Sequence, residues 1–185
     1  MAVSFATFSK FRQITNDLTI NEQANIKRAS ASRTPSTKKN TFLSHSSKDA
    51  EILPGVIKLL QGHGATVYCD LYDERMPENP DHETANIIKQ QIKLSTRLVI
   101  FVTINSKDSK WVPWELGIGD TVLNPKNVAL LPTAETSREQ AWARQEYLGL
   151  YRHIVYGDLE GEPNKVWMVY DYLKNEATKL SEWCQ

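Results

Sequence analysis

The segment Lys110-Trp111-Val112-Pro113-Trp114-Glu115-Leu116-Gly117 sets a carboxylate four residues after an indole. It follows the apolar run Leu98-Val99-Ile100-Phe101-Val102 and a short polar loop. That places Glu115 beyond the end of a sheet strand, and ligands of open α/β sheets collect outside the carboxyl ends of their strands. With Pro113 near the first helical position, the pattern predicts Glu115 in the first turn of a helix. There the helix dipole favours the ionised form by roughly 0.3–1 kcal/mol. A carboxylate so placed has two readings. It is an ordinary dipole-stabilising residue, or it steadies positive charge developing on a bound ligand. Trp111 and Trp114 are likewise pocket walls or core residues, and the core reading suits Trp114 better.

The elements that must hold Glu115 follow from the patterning on either side. Thr41-Phe42-Leu43-Ser44 reads as a short strand, and Ser46-Ser47-Lys48-Asp49 has the spacing of a capping box. Ile52, Val56, Leu59 and Leu60 give the next helix an apolar face, Pro54 and Gly55 interrupt it, and Gly62-His63-Gly64 ends it. Ala65 to Leu71 reads as a second strand and Tyr72 to Pro80 as a polar loop. Asp81 or Thr84 caps a helix bearing Ala85, Ile88 and Ile92. The run Leu98 to Val102 is continuously apolar, as a parallel strand buried on both faces requires. Val128 to Leu131 and His153 to Tyr156 supply a fourth and a fifth strand. Val166, Val169, Leu173, Ala177 and Leu180 mark a last helix, while Thr133 to Leu150 is poorly patterned. Repeated strand–helix alternation predicts a doubly wound α/β fold: a five-stranded parallel sheet with helices on both faces and right-handed crossovers.

Residues 1–40 differ from the rest. Phe5, Phe8, Phe11, Ile14 and Leu18 recur as on an amphipathic helix, which the reading docks on the body or on another subunit. Ala29 to Asn40 is a Ser, Thr and Lys-rich linker. This stretch holds seven basic and two acidic residues, so it carries +5 and residues 41–185 carry −5 of a net charge of zero. The natural division is therefore a basic extension over 1–40 and a domain over 41–185.

Balanced charge gives no reason to expect nucleic acid or an anionic membrane as partner. Cys69 and Cys184, far apart and without a CxxC pair, argue against a disulfide scaffold and a zinc site. The four histidines show no metal-ligand spacing, so no metal or bound cofactor is expected. No apolar run is long enough to span a bilayer and no apolar leader opens the chain, which leads to a cytoplasmic expectation. The bare GxG spacings at Gly62 and Gly117 lack a phosphate-binding signature. A phosphoacceptor receiver would need acidic residues where Ser44-His45-Ser46 and Thr103-Ile104-Asn105 stand.

Three boxes, in order, resemble those of Toll/interleukin-1 receptor (TIR) domains of the flavodoxin-like class. Phe42-Leu43-Ser44-His45-Ser46-Ser47-Lys48-Asp49 looks like the first-strand box of bacterial members. Asp70 to Pro80 falls where the family's mobile loop lies, and Trp111-Val112-Pro113-Trp114-Glu115-Leu116 is similar to its tryptophan-and-glutamate segment. The similarity covers roughly Thr41 to Gln185. It points to proteins of Thoeris-type anti-phage defence, in which a TIR protein makes a nucleotide signal for a separate effector.

What the resemblance implies is cleavage of NAD⁺ at the nicotinamide–ribose bond, with ADP-ribose or a cyclic ADP-ribose isomer as product. Glu115 is then catalytic, with Ser44, His45, Ser46, Asp70, Tyr72 and Trp111 about the substrate and Tyr72 or Arg75 covering the nucleotide. Nicotinamide leaves neutral, so the cost lies in the oxocarbenium-like ribose left behind, which one carboxylate can stabilise as in glycosidases. The resemblance also implies self-association through TIR domains. A non-enzymatic TIR–TIR adaptor is the competing reading, and a nucleoside glycosyl- or deoxyribosyl-transferase of related fold is a third.

Overall fold

Leu98, Ile100 and Val102 join one apolar cluster while Val99 and Phe101, between them, join another, so this strand is buried on both faces. The computed structural model describes residues 3–31, 41–77, 79, 81–136 and 146–185. The strands are β1 (Val3–Ser4), β2 (Thr41–Ser44), β3 (Val67–Tyr68), β4 (Arg97–Val102), β5 (Val128–Pro132), β6 (Arg152–Gly157), β7 (Val166–Asp171) and β8 (Glu176–Lys179). The helices are α1 (Phe8–Asp17), α2 (Ile20–Ala31), α3 (Leu53–Gly62), α4 (His82–Leu94), α5 (Trp111–Val122) and α6 (Leu180–Trp183).

One sheet runs β3-β2-β4-β5-β6-β7-β8. The pairings from β3 to β6 are all parallel, which are the five strands expected from the sequence. Residues of α1, α3 and α6 pack on one face, with Phe11, Leu53 and Leu180 in the core. The opposite face packs Ile88 and Ile92 of α4 and Val112 and Leu116 of α5. Asp81 caps α4 as predicted, accepting from the backbone N–H groups of Glu83 and Thr84 in a capping box.

Several local expectations give way. The helix read over Val166 to Leu180 is an antiparallel hairpin of β7 and β8, with α6 only after it. Its residues Val166-Trp167-Met168-Val169-Tyr170 are β-branched or bulky, and they bury on both faces beside β6. Asn175, at φ 55°, makes the turn, and the Asp171 side chain accepts from the N–H groups of Leu173 and Lys174. The second strand pairs only at Val67 and Tyr68, after which Asp70–Tyr72 forms a 3₁₀ turn. The Ser46 box caps another such turn, Ser47–Asp49. Pro54 does not interrupt a helix but occupies the first turn of α3, where no N–H is needed.

The N-terminal segment docks, as expected, though not as one helix. Phe5 precedes α1 and stacks on His153, while β1 pairs antiparallel with β6. Phe11 meets Phe101 edge to face at 5.4 Å. Helix α1 lies so close to α3 that a Cβ at Gly55 would come within 2.7 Å of Thr15 Oγ1. Linker residues Ala29 to Ala31 belong to α2, and 32–40 lie outside the described residues. No helix among the described residues is long and apolar enough to cross a membrane.

Candidate active site

Glu115 stands on the second turn of α5, because the helix starts at Trp111 rather than near Pro113. The expectation of a first-turn carboxylate held ionised by the helix dipole is therefore overturned. The side chain is buried, with the residue only 2% exposed. Burial pushes its carboxyl well above the ordinary glutamate value, and the nearby Asp70 charge pushes it in the same direction. Ser44, at the end of β2, opposes both by donating its hydroxyl to Glu115 Oε2. Helix α5 is held at this depth by a close approach: a Cβ at Gly119 would run into the side chain of Leu98 on β4.

The buried residue still borders open space. Glu115 lines a cavity of about 490 Å³ together with His45, Asp70 and Trp111, well within the range of small-molecule sites. Four of the seven residues proposed from the sequence thus meet at one opening. Ser44 lies beneath it as the partner of Glu115. Two further cavities, of about 300 and 370 Å³, are smaller and neither is lined by Glu115.

His45 follows Ser44 off the end of β2. Its Nδ1 lies 3.3 Å from the Leu43 carbonyl and 3.5 Å from Asp70 Oδ1. Asp70 opens the 3₁₀ turn after β3, and this turn is braced by the N-terminal segment: the Cys69 N–H donates to the Ser30 carbonyl of α2 at 3.0 Å. Cys69 Sγ in turn lies 4.0 Å from His45 Nδ1. His45, Cys69 and Asp70 bring one nitrogen, one sulfur and one carboxylate oxygen within 4.8 Å of one another, a convergence invisible in the cysteine and histidine spacing. Trp111 is half-buried and packs edge to face on Trp114 at 5.2 Å. Trp114 joins the apolar cluster behind it, as its core reading held.

Three residues expected about the substrate do not line the cavity. Tyr72 does not cover the cavity; its ring packs toward the opposite face, against the cluster containing α1 and α3, with Lys27 Nζ 5.9 Å from its centroid. With three residues per 3₁₀ turn, Tyr72 points about 120° away from Asp70 around the turn axis. Arg75 is held by Asp73, donating through Nε at 2.9 Å. Burial alone would raise the Asp73 carboxyl, but hydrogen bonds from Arg75 and Tyr68 win and hold it below its usual value. Ser46 accepts from the Lys48 N–H as a cap and is absent from the lining.

Sequence reasoning missed Leu71, Asp73, Met76 and Pro77 from the loop after β3, and Ser47 and Ser109 from two other loops. It also missed Thr84 and Ile88, which α4 contributes to the wall. Ile88 carried the signal of a core position and is nearly fully buried, so its edge on the cavity had no separate signature. Asp49 escaped notice as an organiser: it accepts from Thr103 Oγ1 at 2.7 Å and ties the loop after β2 to the loop after β4.

A cavity flanked by two acidic groups, with an indole wall and a buried carboxyl at its base, can hold a flat cation and stabilise positive charge beside Glu115. The TIR domain family model matches residues 41–167. A probable 3' cyclic ADP-D-ribose synthase ThsB' of Bacillus cereus (strain MSX-D12) is 32% identical over 146 residues, spanning 78% of this chain and 74% of that protein. A putative cyclic ADP-D-ribose synthase TIR2 of Cytobacillus dafuensis is 31% identical over 80 residues, 42% of this chain and 21% of that protein.

Proposed function

We propose that this chain, which belongs to the TIR domain family, cleaves NAD⁺ between nicotinamide and ribose and acts in anti-phage defence. The C1′–N bond breaks with its electron pair going to the nicotinamide nitrogen, which leaves neutral. The ribosyl cation is then captured by a nucleophile of the same ADP-ribosyl unit, giving a cyclic ADP-ribose isomer, or by water, giving ADP-ribose; either capture releases one proton. Two relatives named as cyclic ADP-D-ribose synthases support the cyclic outcome.

Glu115 is the catalytic residue in this reading. The single supporting observation is its position: an otherwise buried glutamate that lines a cavity together with His45, Asp70 and Trp111. Burial and the charge of Asp70 favour its protonated form. A bound pyridinium brings positive charge that favours ionisation, and the same carboxylate then stabilises the ribosyl cation as nicotinamide leaves. Ser44 positions it. Trp111 keeps water from the cation, which a cyclising enzyme requires.

The domain spans 41–185, with 1–40 as an extension of it. The protein works in the cytoplasm, associates with further copies through its TIR domain, and its product is read by a separate effector. Incubation with NAD⁺ at high protein concentration, following nicotinamide release and identifying the product by mass spectrometry, tests the activity. Glu115→Ala should lower the rate by at least about 10²–10³-fold, the usual cost of losing one electrostatic stabiliser. Intact NAD⁺ alongside filaments formed with TIR partners would instead establish the adaptor reading.

A further inference from the structure

We propose that His45, Cys69 and Asp70 form a binding site for a thiophilic divalent cation, with Zn²⁺ as its natural representative, and that the bound ion closes the cavity to a cationic substrate. The three residues come from two neighbouring strand ends, β2 for His45 and β3 for Cys69 and Asp70, which pair in parallel. His45 Nδ1 stands 3.5 Å from Asp70 Oδ1 and 4.0 Å from Cys69 Sγ. Tetrahedral zinc with bonds of about 2.0–2.3 Å separates such ligand atoms by about 3.3–3.8 Å. His45 and Asp70 already stand at that spacing, and Cys69, whose Sγ lies within 4.8 Å of both, closes on an ion with a shift of up to about 1 Å.

Nitrogen, sulfur and oxygen from three side chains, two of which line the cavity, make up the donor set of an accessible zinc centre. A thiolate in the set selects against Mg²⁺ and Ca²⁺. Cys69 is fully buried, so the ion reaches it through the cavity that His45 and Asp70 line. The contact of His45 Nδ1 with the Leu43 carbonyl, at 3.3 Å, is too long to compete strongly. On binding, the Cys69 thiol releases its proton to solvent and the S–metal bond forms in its place. Nothing in this assignment depends on the NAD⁺ reading except its consequence. A cation there neutralises Asp70 and repels a pyridinium approaching Glu115, which lines the same cavity.

Titration of the purified chain with Cd²⁺, read by the ultraviolet thiolate-to-metal charge-transfer band, tests binding without any enzyme assay, and calorimetry with Zn²⁺ gives the stoichiometry. Wild type should take up one ion with the band, unaffected by millimolar Mg²⁺. Cys184→Ala, which removes the other buried cysteine, should behave as wild type. Cys69→Ser should lose the band, and Asp70→Asn should weaken Zn²⁺ binding at least tenfold while its thermal melt shows the fold retained. Absence of the band in wild type, or its survival in Cys69→Ser, overturns the site and leaves the NAD⁺ reading untouched. Inhibition of nicotinamide release by Zn²⁺ that persists in Cys69→Ser overturns the coupling alone.

Discussion

Replacing Ser44 with alanine separates an ionised Glu115 from a protonated one. Burial and the charge of Asp70 both drive the Glu115 carboxyl upward, and the Ser44 hydroxyl is the opposing influence. A hydrogen bond to a charged group contributes about 1.5–3 kcal/mol net. Ser44→Ala therefore costs the ionised form that amount, and with about 1.4 kcal/mol per tenfold in rate, activity at neutral pH should fall about ten- to hundredfold. The sign is fixed: removing a bond to the charged form raises the carboxyl further, so more of the variant is protonated at any given pH. Its activity should then recover as pH rises, with the acid limb of the kcat/KM profile displaced to higher pH and the alkaline plateau near that of wild type. The assay is nicotinamide release across a pH series, with a melting curve for each protein. A loss equal at every pH, or no loss, would refute the assignment of Ser44 as the residue that sustains the ionised carboxylate.

Glu115→Gln should raise the melting temperature at neutral pH while abolishing turnover. The unfolded glutamate ionises around 4.5 and the native one higher, so wild-type stability declines as pH rises above that value; the gain should fade below pH 4.5 in scanning calorimetry. Trp111→Ala opens a wall of the cavity and should shift the product ratio from cyclic isomer toward ADP-ribose, read by mass spectrometry, with a higher KM. Gly119→Ala forces α5 against Leu98 and should destabilise by about 1–3 kcal/mol in urea unfolding, with a fall in kcat as Glu115 is displaced.

Much of this molecule is local and was therefore legible. The five parallel strands announce themselves by short runs rich in apolar residues between turn signals, most plainly in β4 and β5, where Leu98 to Val102 and Val128 to Pro132 are apolar throughout. The cap at Asp81 and the glycine stop after α3 depend only on neighbours three or four residues away, and both stand where the pattern put them. Glu115 beyond the third parallel strand was found the same way.

The hairpin of β7 and β8 was not legible, because apolar residues recurring over Val166 to Leu180 satisfy a helical stripe and a pair of strands alike. Pairing with β6 decided between them. The N-terminal segment likewise became part of the sheet only through β6. Spacing along the chain sets which groups a helix or strand carries. Protonation depends instead on dielectric and on charges close in space, and for Glu115 those are Ser44 and Asp70, which the sequence holds 71 and 45 positions away. The meeting of His45 with Cys69 and Asp70 has the same origin: two strand ends brought side by side by a parallel ladder.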